Sequence, residues 1–278
     1  MTAASDAERA RSFQRSLAER LSTCVEPFAW GTAFLDDRHP LRYDSNVLWV
    51  GPSADRCDAT RLAAEADRIL GGAGLGHREI LVERERDGER LTAGLRALGY
   101  ERDDCEVMAL RREPDRTRDL SAVVEVDADE MVLAAREGYR RAPGTETEEV
   151  ARALAEHKRA LAEVGARFFA VRAGGRVAST GDLYVHDGVA QIEDVQTLEE
   201  HRGRGMASAI VLRAAAEARA LGCDLVFLVA DAQDWPRTLY ARLGFDGIDR
   251  FHVFIRRPDA RIGSEGGPAL PRAGDSSA

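Results

Sequence analysis

The sequence predicts a layered α+β fold, in which a mixed and mostly antiparallel sheet carries helices on both faces. The composition of the 278-residue chain, with 44% hydrophobic and 31% charged residues, is typical of globular domains. From about residue 122 onward, strand-like and helix-like segments follow one another in the order β-α-α-β-β-β-α-β-α-β. Segments interleaved in this way favour helices packed against both faces of one sheet.

The elements of this region are assigned from apolar spacing and from the residues at their ends. A strand is predicted at AVVEVD and a helix at ADEMVLAAREGYRR. A second helix begins after the capping residue Thr147 and ends at Gly165. Glycine-containing turns then favour an antiparallel meander of three strands, ARFFAVRAG, RVASTGDLYVHDG and VAQIEDVQTL. A helix to Leu221, the strand DLVFLVAD, a short helix to Leu243 and the strand RFHVFIRRP complete the order.

One segment in the first part of the chain resembles a segment in the last part, and we call these two the echoed segments. LGY and LGF are each followed at the same spacing by a strand-like run, from Tyr100 to Arg111 and from Phe245 to Arg256. Fixed spacing of this kind favours a duplicated unit, and a coincidence of strand–helix–strand patterns is the alternative. The charged segment RREPDRTRDLS is typical of a linker. We therefore predict domains at residues 1–115 and 116–257, and a disordered Gly-, Pro- and Ser-rich tail at residues 258–278.

Composition also argues against several classes of protein. A net charge of −9 disfavours nucleic-acid binding and suits a cationic partner. No apolar run reaches the roughly 18 residues of a membrane span, and the polar start does not resemble a secretory signal. The four cysteines and six histidines show no metal-binding spacing, so we expect no metal and free thiols in a reducing cytoplasm.

The segment HRGRGMASAI places Gly203 and Gly205 directly before a predicted helix. Helix starts carry unpaired N–H groups and the positive end of the helix dipole, and glycines allow a phosphate to approach these amides. The segment is not a P-loop, because no GK[ST] follows, and Ser208 replaces the third glycine of GxGxxG. Diphosphate binding and an ordinary helix start are the two interpretations.

VQTLEEHRGRGMA, followed further along the chain by LYARLGF, resembles the GNAT superfamily of acyl-CoA N-acyltransferases. The resemblance extends from Ser121 to about Pro258 and implies a GNAT fold, preceded by a smaller, degenerate GNAT-like domain. That first domain has Leu95 at the position of Tyr240 and GPSADRC in place of HRGRGMA, so it lacks both motifs. Two positions depart from the family pattern, Gln233 at an asparagine and Pro236 at an alanine. The matching positions are Val195, Thr197, Arg202, Gly203, Gly205, Ala207, Leu239, Tyr240, Gly244 and Phe245.

The resemblance implies acetyl-CoA as co-substrate and Tyr240 as the general acid. A phenol with a pKa of about 10 can protonate a departing thiolate, whose conjugate acid has a pKa of about 8.5; a core tyrosine is the alternative. DVQTL should part from LVFLV, with a bulge between Val195 and Leu198. The residues expected to contact acetyl-CoA are Val195, Gln196, Thr197, Arg202, Gly203, Arg204, Gly205, Met206, Ala207, Ser208 and Gln233.

Glu193 is the preferred general base for the acceptor amine, and strand alternation should point Asp194 to the opposite face. Family members differ in their base, so water, or a solvated carboxylate without a role, is the alternative. We expect direct attack on the thioester in a ternary complex, because no cysteine lies in the motif. The acceptor is expected to be a small-molecule or peptide primary amine. A non-catalytic acyl-CoA-binding sensor or scaffold, and a transferase for another acyl group, are the other hypotheses; a monomer and a homodimer are both open.

Overall fold

The computed structural model describes residues 4–145, 147–233 and 236–258, with only the backbone described at Ser53 and Asp55. The predicted disordered tail lies outside the described residues, apart from Pro258. Among the described residues, no helix is both long and apolar enough to span a membrane.

The helices and strands of the described residues alternate largely as predicted. The helices are α1 (Asp6–Leu21), α2 (Ala59–Ala66), α3 (Glu85–Ala97), α4 (Ala128–Tyr139), α5 (Glu148–Glu163), α6 (Met206–Ala220) and α7 (Pro236–Arg242). The strands are β1 (Cys24–Phe28), β2 (Gly31–Leu35), β3 (Val47–Val50), β4 (Arg78–Val82), β5 (Glu101–Leu110), β6 (Val123–Val126), β7 (Arg167–Ala173), β8 (Arg176–His186), β9 (Val189–Thr197), β10 (Leu225–Asp231) and β11 (Phe245–Arg256).

Local sequence accounts for several of these boundaries. The Thr147 hydroxyl accepts a hydrogen bond from the Val150 amide and caps α5, as predicted. The meander of β7, β8 and β9 turns at Gly174-Gly175 and at Asp187-Gly188. All four turn residues have positive φ, which suits tight hairpins between twisted strands. The antiparallel meander is therefore confirmed.

All eleven strands join one sheet, in the order β1-β2-β3-β4-β11-β5-β10-β9-β8-β7-β6. Among the described residues, only the β3–β4 and β9–β10 pairings are parallel. The neighbouring residues Phe168 and Phe169 show that both faces are covered: Phe168 packs with α1 and α5, and Phe169 packs with α6. The predicted α+β class, with a mixed and mostly antiparallel sheet between helices, is confirmed.

The two echoed segments lie side by side at the centre of the sheet. The last strand of the chain, β11, lies between β4 and β5, and β5 in turn lies between β11 and β10. Their antiparallel register pairs Cys105 with Phe251 and Glu106 with Arg250, so the two copies face each other about a local pseudo-two-fold axis. Each half of the chain therefore contributes a strand to the sheet of the other half. The domain division at residue 115 stays a prediction.

Candidate active site

The strands β9 and β10 part at the centre of the sheet. They pair in parallel only from residues 189–192 and 225–228, although β9 continues to Thr197 and β10 to Asp231. The backbone groups of these last residues are consequently not used between the two strands. This is the opening that the sequence analysis expects at DVQTL and LVFLV.

A bulge in β9 accompanies the opening. Asp182 pairs with Glu193 and Thr180 pairs with Gln196, so that Asp194 and Val195 both stand opposite Gly181. The bulge thus begins one residue before the predicted range. A Cβ on Gly181 would lie 2.5 Å from a methyl carbon of Ile210 on α6, which explains the glycine. The lack of a side chain at Gly181 therefore makes room for Ile210 of α6 against the bulged strand pair.

The backbone at Asp194 corrects one prediction. Its φ of 48° breaks the strand alternation, since a non-glycine residue adopts the left-handed region only locally. As a result, Glu193 and Asp194 line the same central cavity instead of pointing to opposite faces.

The glycine turn leads into α6 in an open arrangement. Gly203 and Gly205 have φ values of 73° and 78°, and a Cβ on Gly203 would meet no atom within 4 Å. Gly205 is the N-cap of α6 and offers no side-chain cap, so amides of the first helical turn lack intrahelical partners. The side chains of Ala207 and Ser208, in this first turn, are buried.

The arginines at the turn have different surroundings. Arg204 is exposed and donates to the carbonyl of Glu200, and Arg202 donates to the carbonyl of Thr197. Arg118 lies in the segment predicted as a linker and is not among the predicted site residues. Its guanidinium lies 3.1 Å from the position that a Cβ on Gly205 would occupy. Only the charge of the segment RREPDRTRDLS could have indicated it.

The other residues expected to contact acetyl-CoA are buried or make hydrogen bonds to other residues of the chain. Val195 is buried, and Thr197 is buried with its hydroxyl 2.9 Å from that of Ser179. The Gln196 amide donates to Asp194. The Gln233 side chain donates to Asp104 on β5, and its backbone N–H donates to the Asp231 side chain.

Tyr240 of α7 reaches the opening from the α6 side of the sheet. It is 6% exposed, packs edge-on against Phe245, and lines a small recess together with Glu193, Val195 and Pro236. Its hydroxyl makes no hydrogen bond to any residue that the structure describes. Burial, and secondly the charge of Glu193, raise the pKa of Tyr240, so the phenol stays protonated at neutral pH.

Glu193 lies between this recess and the larger cavity on the other side. It lines both, and its Oε1 accepts a hydrogen bond from the Gln191 amide. The pKa of Glu193 is raised to about 8, mainly by burial; the Gln191 hydrogen bond lowers the pKa, and the charges of Asp194, Asp182 and Asp44 raise it. A carboxyl group with this pKa can both accept and release a proton near neutral pH.

The larger cavity, which we call the central cavity, has a volume of about 260 Å³. Its lining comes from both halves of the chain: from α1, the loop before β3, α5, and seven neighbouring strands from β3 to β8 in sheet order. Two cationic side chains, Arg42 and Lys158, line it. The carboxyl groups that line it are those of Asp44, Glu79, Asp103, Asp104, Asp182, Glu193, Asp194 and Asp231.

The ammonium group of Lys158 binds two of these carboxylates, one on each strand of the bulged pair. Its ammonium group donates to Asp182 Oδ2 at 2.6 Å and to Asp194 Oδ2 at 2.5 Å, and it is 3% exposed. Burial would lower the pKa of Lys158, but the two carboxylates outweigh it and raise the pKa. Burial raises the pKa of Asp182 to about 6, and the cations Lys158 and Arg42 lower the pKa of Asp194 despite its burial. Lys158 was not predicted from the sequence, although it is the only lysine in the chain.

Next to the cavity, Asp36, His39 and His157 bring potential metal-ligand atoms within 4.8 Å of one another. Protein groups already engage them: Arg38 and His39 bind Asp36, and the Ser45 hydroxyl lies 3.2 Å from His157. Burial lowers the pKa of His157, and the charges of Arg42, Lys158 and Arg38 lower it further. The same positive charges oppose a divalent cation, so the chemistry of this cluster does not suit a metal.

The part of the chain that carries this site matches a known protein family. Residues 130–245 match the model of the Acetyltransferase (GNAT) family. This part of the chain is a GNAT domain. The match includes the meander, the bulged strand, the glycine turn and Tyr240, all of which therefore belong to the GNAT domain.

Solved structures share the fold over most of the chain. A conserved protein of unknown function from Staphylococcus epidermidis has a TM-score of 0.65 at 18% identity, covering 84% of this chain and 92% of its own. A GCN5-related N-acetyltransferase from Kribbella flavida has a TM-score of 0.53 at 17% identity, covering 94% and 98%. A tandem GNAT protein from the clavulanic acid biosynthesis pathway has a TM-score of 0.53 at 16% identity, covering 85% and 80%. Comparison with curated proteins gave no match.

Proposed function

We propose that the protein is an N-acetyltransferase that moves an acetyl group from acetyl-CoA to a primary amine. The observation that supports this proposal is the arrangement across the strand opening. Tyr240 and Glu193 meet there in one recess, and Glu193 alone of the two also lines the acidic central cavity. The thioester would lie between these two groups, and the amine would approach through the cavity.

In this proposal the glycine turn holds the diphosphate of acetyl-CoA. The amides of the first turn of α6, from Met206 to Ser208, supply hydrogen bonds, and the positive end of the helix dipole supplies charge. Arg118, beside Gly205, adds a guanidinium that pairs well with phosphate oxygens. The pantetheine arm would use the unpaired backbone edges of β9 and β10.

The chemical step then needs three proton transfers. Glu193, as a carboxylate, accepts a proton from the bound ammonium group, and the resulting amine forms the N–C bond to the acetyl carbon. The C–S bond breaks, and the departing thiolate takes the proton of the Tyr240 hydroxyl. As the amide forms, its nitrogen loses a second proton, which returns through solvent to the Tyr240 phenolate, the strongest base left in the site. Glu193 releases its proton to solvent before the next turnover, so one proton is released for each acetyl group transferred.

A thiol-release assay tests this proposal. The protein is incubated with acetyl-CoA and a panel of primary amines, and CoA binding is measured separately by calorimetry. We expect amine-dependent release of CoA thiol together with an N-acetylated product detected by mass spectrometry. If CoA binds but no amine supports release, the protein is a CoA-binding module and not a transferase.

The rate of acetylation should depend on pH through Glu193. The raised pKa of about 8 means that this group is mostly protonated at pH 6 and is half ionised near pH 8. Since only the ionised form accepts a proton, kcat/KM should rise about fiftyfold between pH 6 and pH 8 and then level off. Steady-state kinetics across this range measures the slope.

The variant Glu193→Gln separates this effect from ionisation of the substrate. Its kcat/KM should be lower, and it should retain only the pH dependence that arises from the acceptor ammonium group. An unchanged profile in the variant would show that a different group, or water, takes the proton.

A further inference from the structure

Four carboxyl groups form a diagonal row on the face of the sheet that is covered by α1 and α5. Glu193, Asp231, Asp103 and Glu79 lie on β9, β10, β5 and β4, and all four line the central cavity. In the strand registers, each of these four residues lies about two residue positions beyond the preceding member of the row, measured along the strand direction. One strand sideways and two residues along correspond to a step of about 8 Å between paired strands. The first step is longer because β9 and β10 part there, and the last step is longer because β11 intervenes.

The row begins at buried acceptor atoms that the protein does not satisfy. Asp182 Oδ1 and Gln191 Oε1 have no hydrogen-bond partner among the described residues, and their side chains are 0% and 3% exposed. Asp182 pairs across the strands with Glu193, and Gln191 precedes Glu193 by two residues on the same face. An unsatisfied buried acceptor is costly, so these atoms indicate a ligand that donates several hydrogen bonds. An ammonium group is such a donor.

The rest of the cavity wall is apolar. Leu81, Val229, Phe251 and Val253 lie on the same face of the sheet, between the carboxyl groups of the row. Leu17 of α1 and Leu161 of α5 also line the cavity. Apolar surface that alternates with carboxylates suits a chain of methylene groups that carries cations at intervals.

We infer that the acceptor is a linear polyamine, whose reacting ammonium group binds at Asp182, Gln191 and Glu193 and whose further ammonium groups bind along the row toward Glu79. This inference rests on the proposed function. The second half of the chain then supplies the chemistry, and the first half, which lacks the catalytic motifs, supplies the far end of the acceptor site through β4 and β5.

The test compares diamines with monoamines of equal length. Thiol release is measured for α,ω-diaminoalkanes whose lengths start at about 8 Å, the step between paired strands, and extend beyond it, and for the n-alkylamine matched to each. We expect kcat/KM for the best diamine to exceed that of its monoamine by about tenfold or more, because a second charged hydrogen bond forms. The variant Asp231→Asn, at the carboxyl group of the row next to Glu193, should lose most of this advantage. The control Asp37→Asn changes an exposed carboxylate outside the cavity and should keep it.

The possible outcomes distinguish a failure of the polyamine inference from a failure of the proposed N-acetyl transfer. Equal kcat/KM for diamines and monoamines would overturn the polyamine inference and leave N-acetyl transfer intact. An equal loss for diamines and monoamines in Asp231→Asn would have the same meaning. If no amine releases thiol, the proposed function fails, and calorimetry then tests the site by itself. A linear triamine that binds no more tightly than a monoamine would overturn the inference there too.

Discussion

Replacing Tyr240 by Phe is expected to lower kcat for amine acetylation by about 10²- to 10⁴-fold, the usual contribution of a positioned general acid. The substitution removes one oxygen atom and leaves the packing against Phe245 in place. The hydroxyl has no hydrogen-bond partner among the described residues, so its loss should cost the fold little. The affinity for CoA should stay within about twofold, because the amides at the glycine turn are untouched.

Tyr100→Phe provides the matched control. Tyr100 is also a buried tyrosine, 2% exposed, whose hydroxyl lacks a partner among the described residues, and burial raises its pKa to about 12. It lies in the first half of the chain, at the position that corresponds to Phe245 in the echoed segments. Tyr100→Phe should keep full activity. If Tyr240→Phe also keeps it while both variants bind CoA, Tyr240 is a core residue and the thiolate leaves without its help.

The second half of the fold could be predicted because its signals are local. A helix cap at Thr147, paired turn residues at Asp187-Gly188, and the glycines at 203 and 205 each fix the backbone within a few residues. The order of elements follows from apolar spacing, which depends on the same short range. These signals were sufficient to indicate the GNAT domain, its glycine turn and Tyr240.

The arrangement of the two halves depends on contacts between distant residues. The echo between residues 100–111 and 245–256 indicated a duplication, but nothing in either segment specifies that β11 pairs with β4. An antiparallel strand can pair with either copy when both copies have similar apolar patterns. The central cavity, which combines Glu79 of β4 with Glu193 of β9, follows from this exchange and could not be predicted without it.

The site itself was only partly predictable for a related reason. The bulge has a positive φ at Asp194, a residue other than glycine, and it lies opposite Gly181, against which α6 packs. Lys158 lies on an amphipathic helix, where a lysine normally points to solvent. Its rarity was the available signal, since every other basic residue among the 39 lysines and arginines is an arginine.

Replacing Lys158 by Met is expected to lower the free energy of unfolding by about 3–5 kcal/mol, because it leaves Asp182 and Asp194 as buried carboxylates without their cation. Denaturant titration of the variant and of the parent protein measures the difference. Arg159→Met is the matched control: it removes the adjacent cation of α5, whose ion pairs with Asp129 and Glu156 are exposed, and should cost about 0–1 kcal/mol. Adding Asp182→Asn to Lys158→Met should recover part of the loss, since one buried charge is then removed. A Lys158→Met variant as stable as Arg159→Met would mean that the carboxylates do not depend on the ammonium group for their charge.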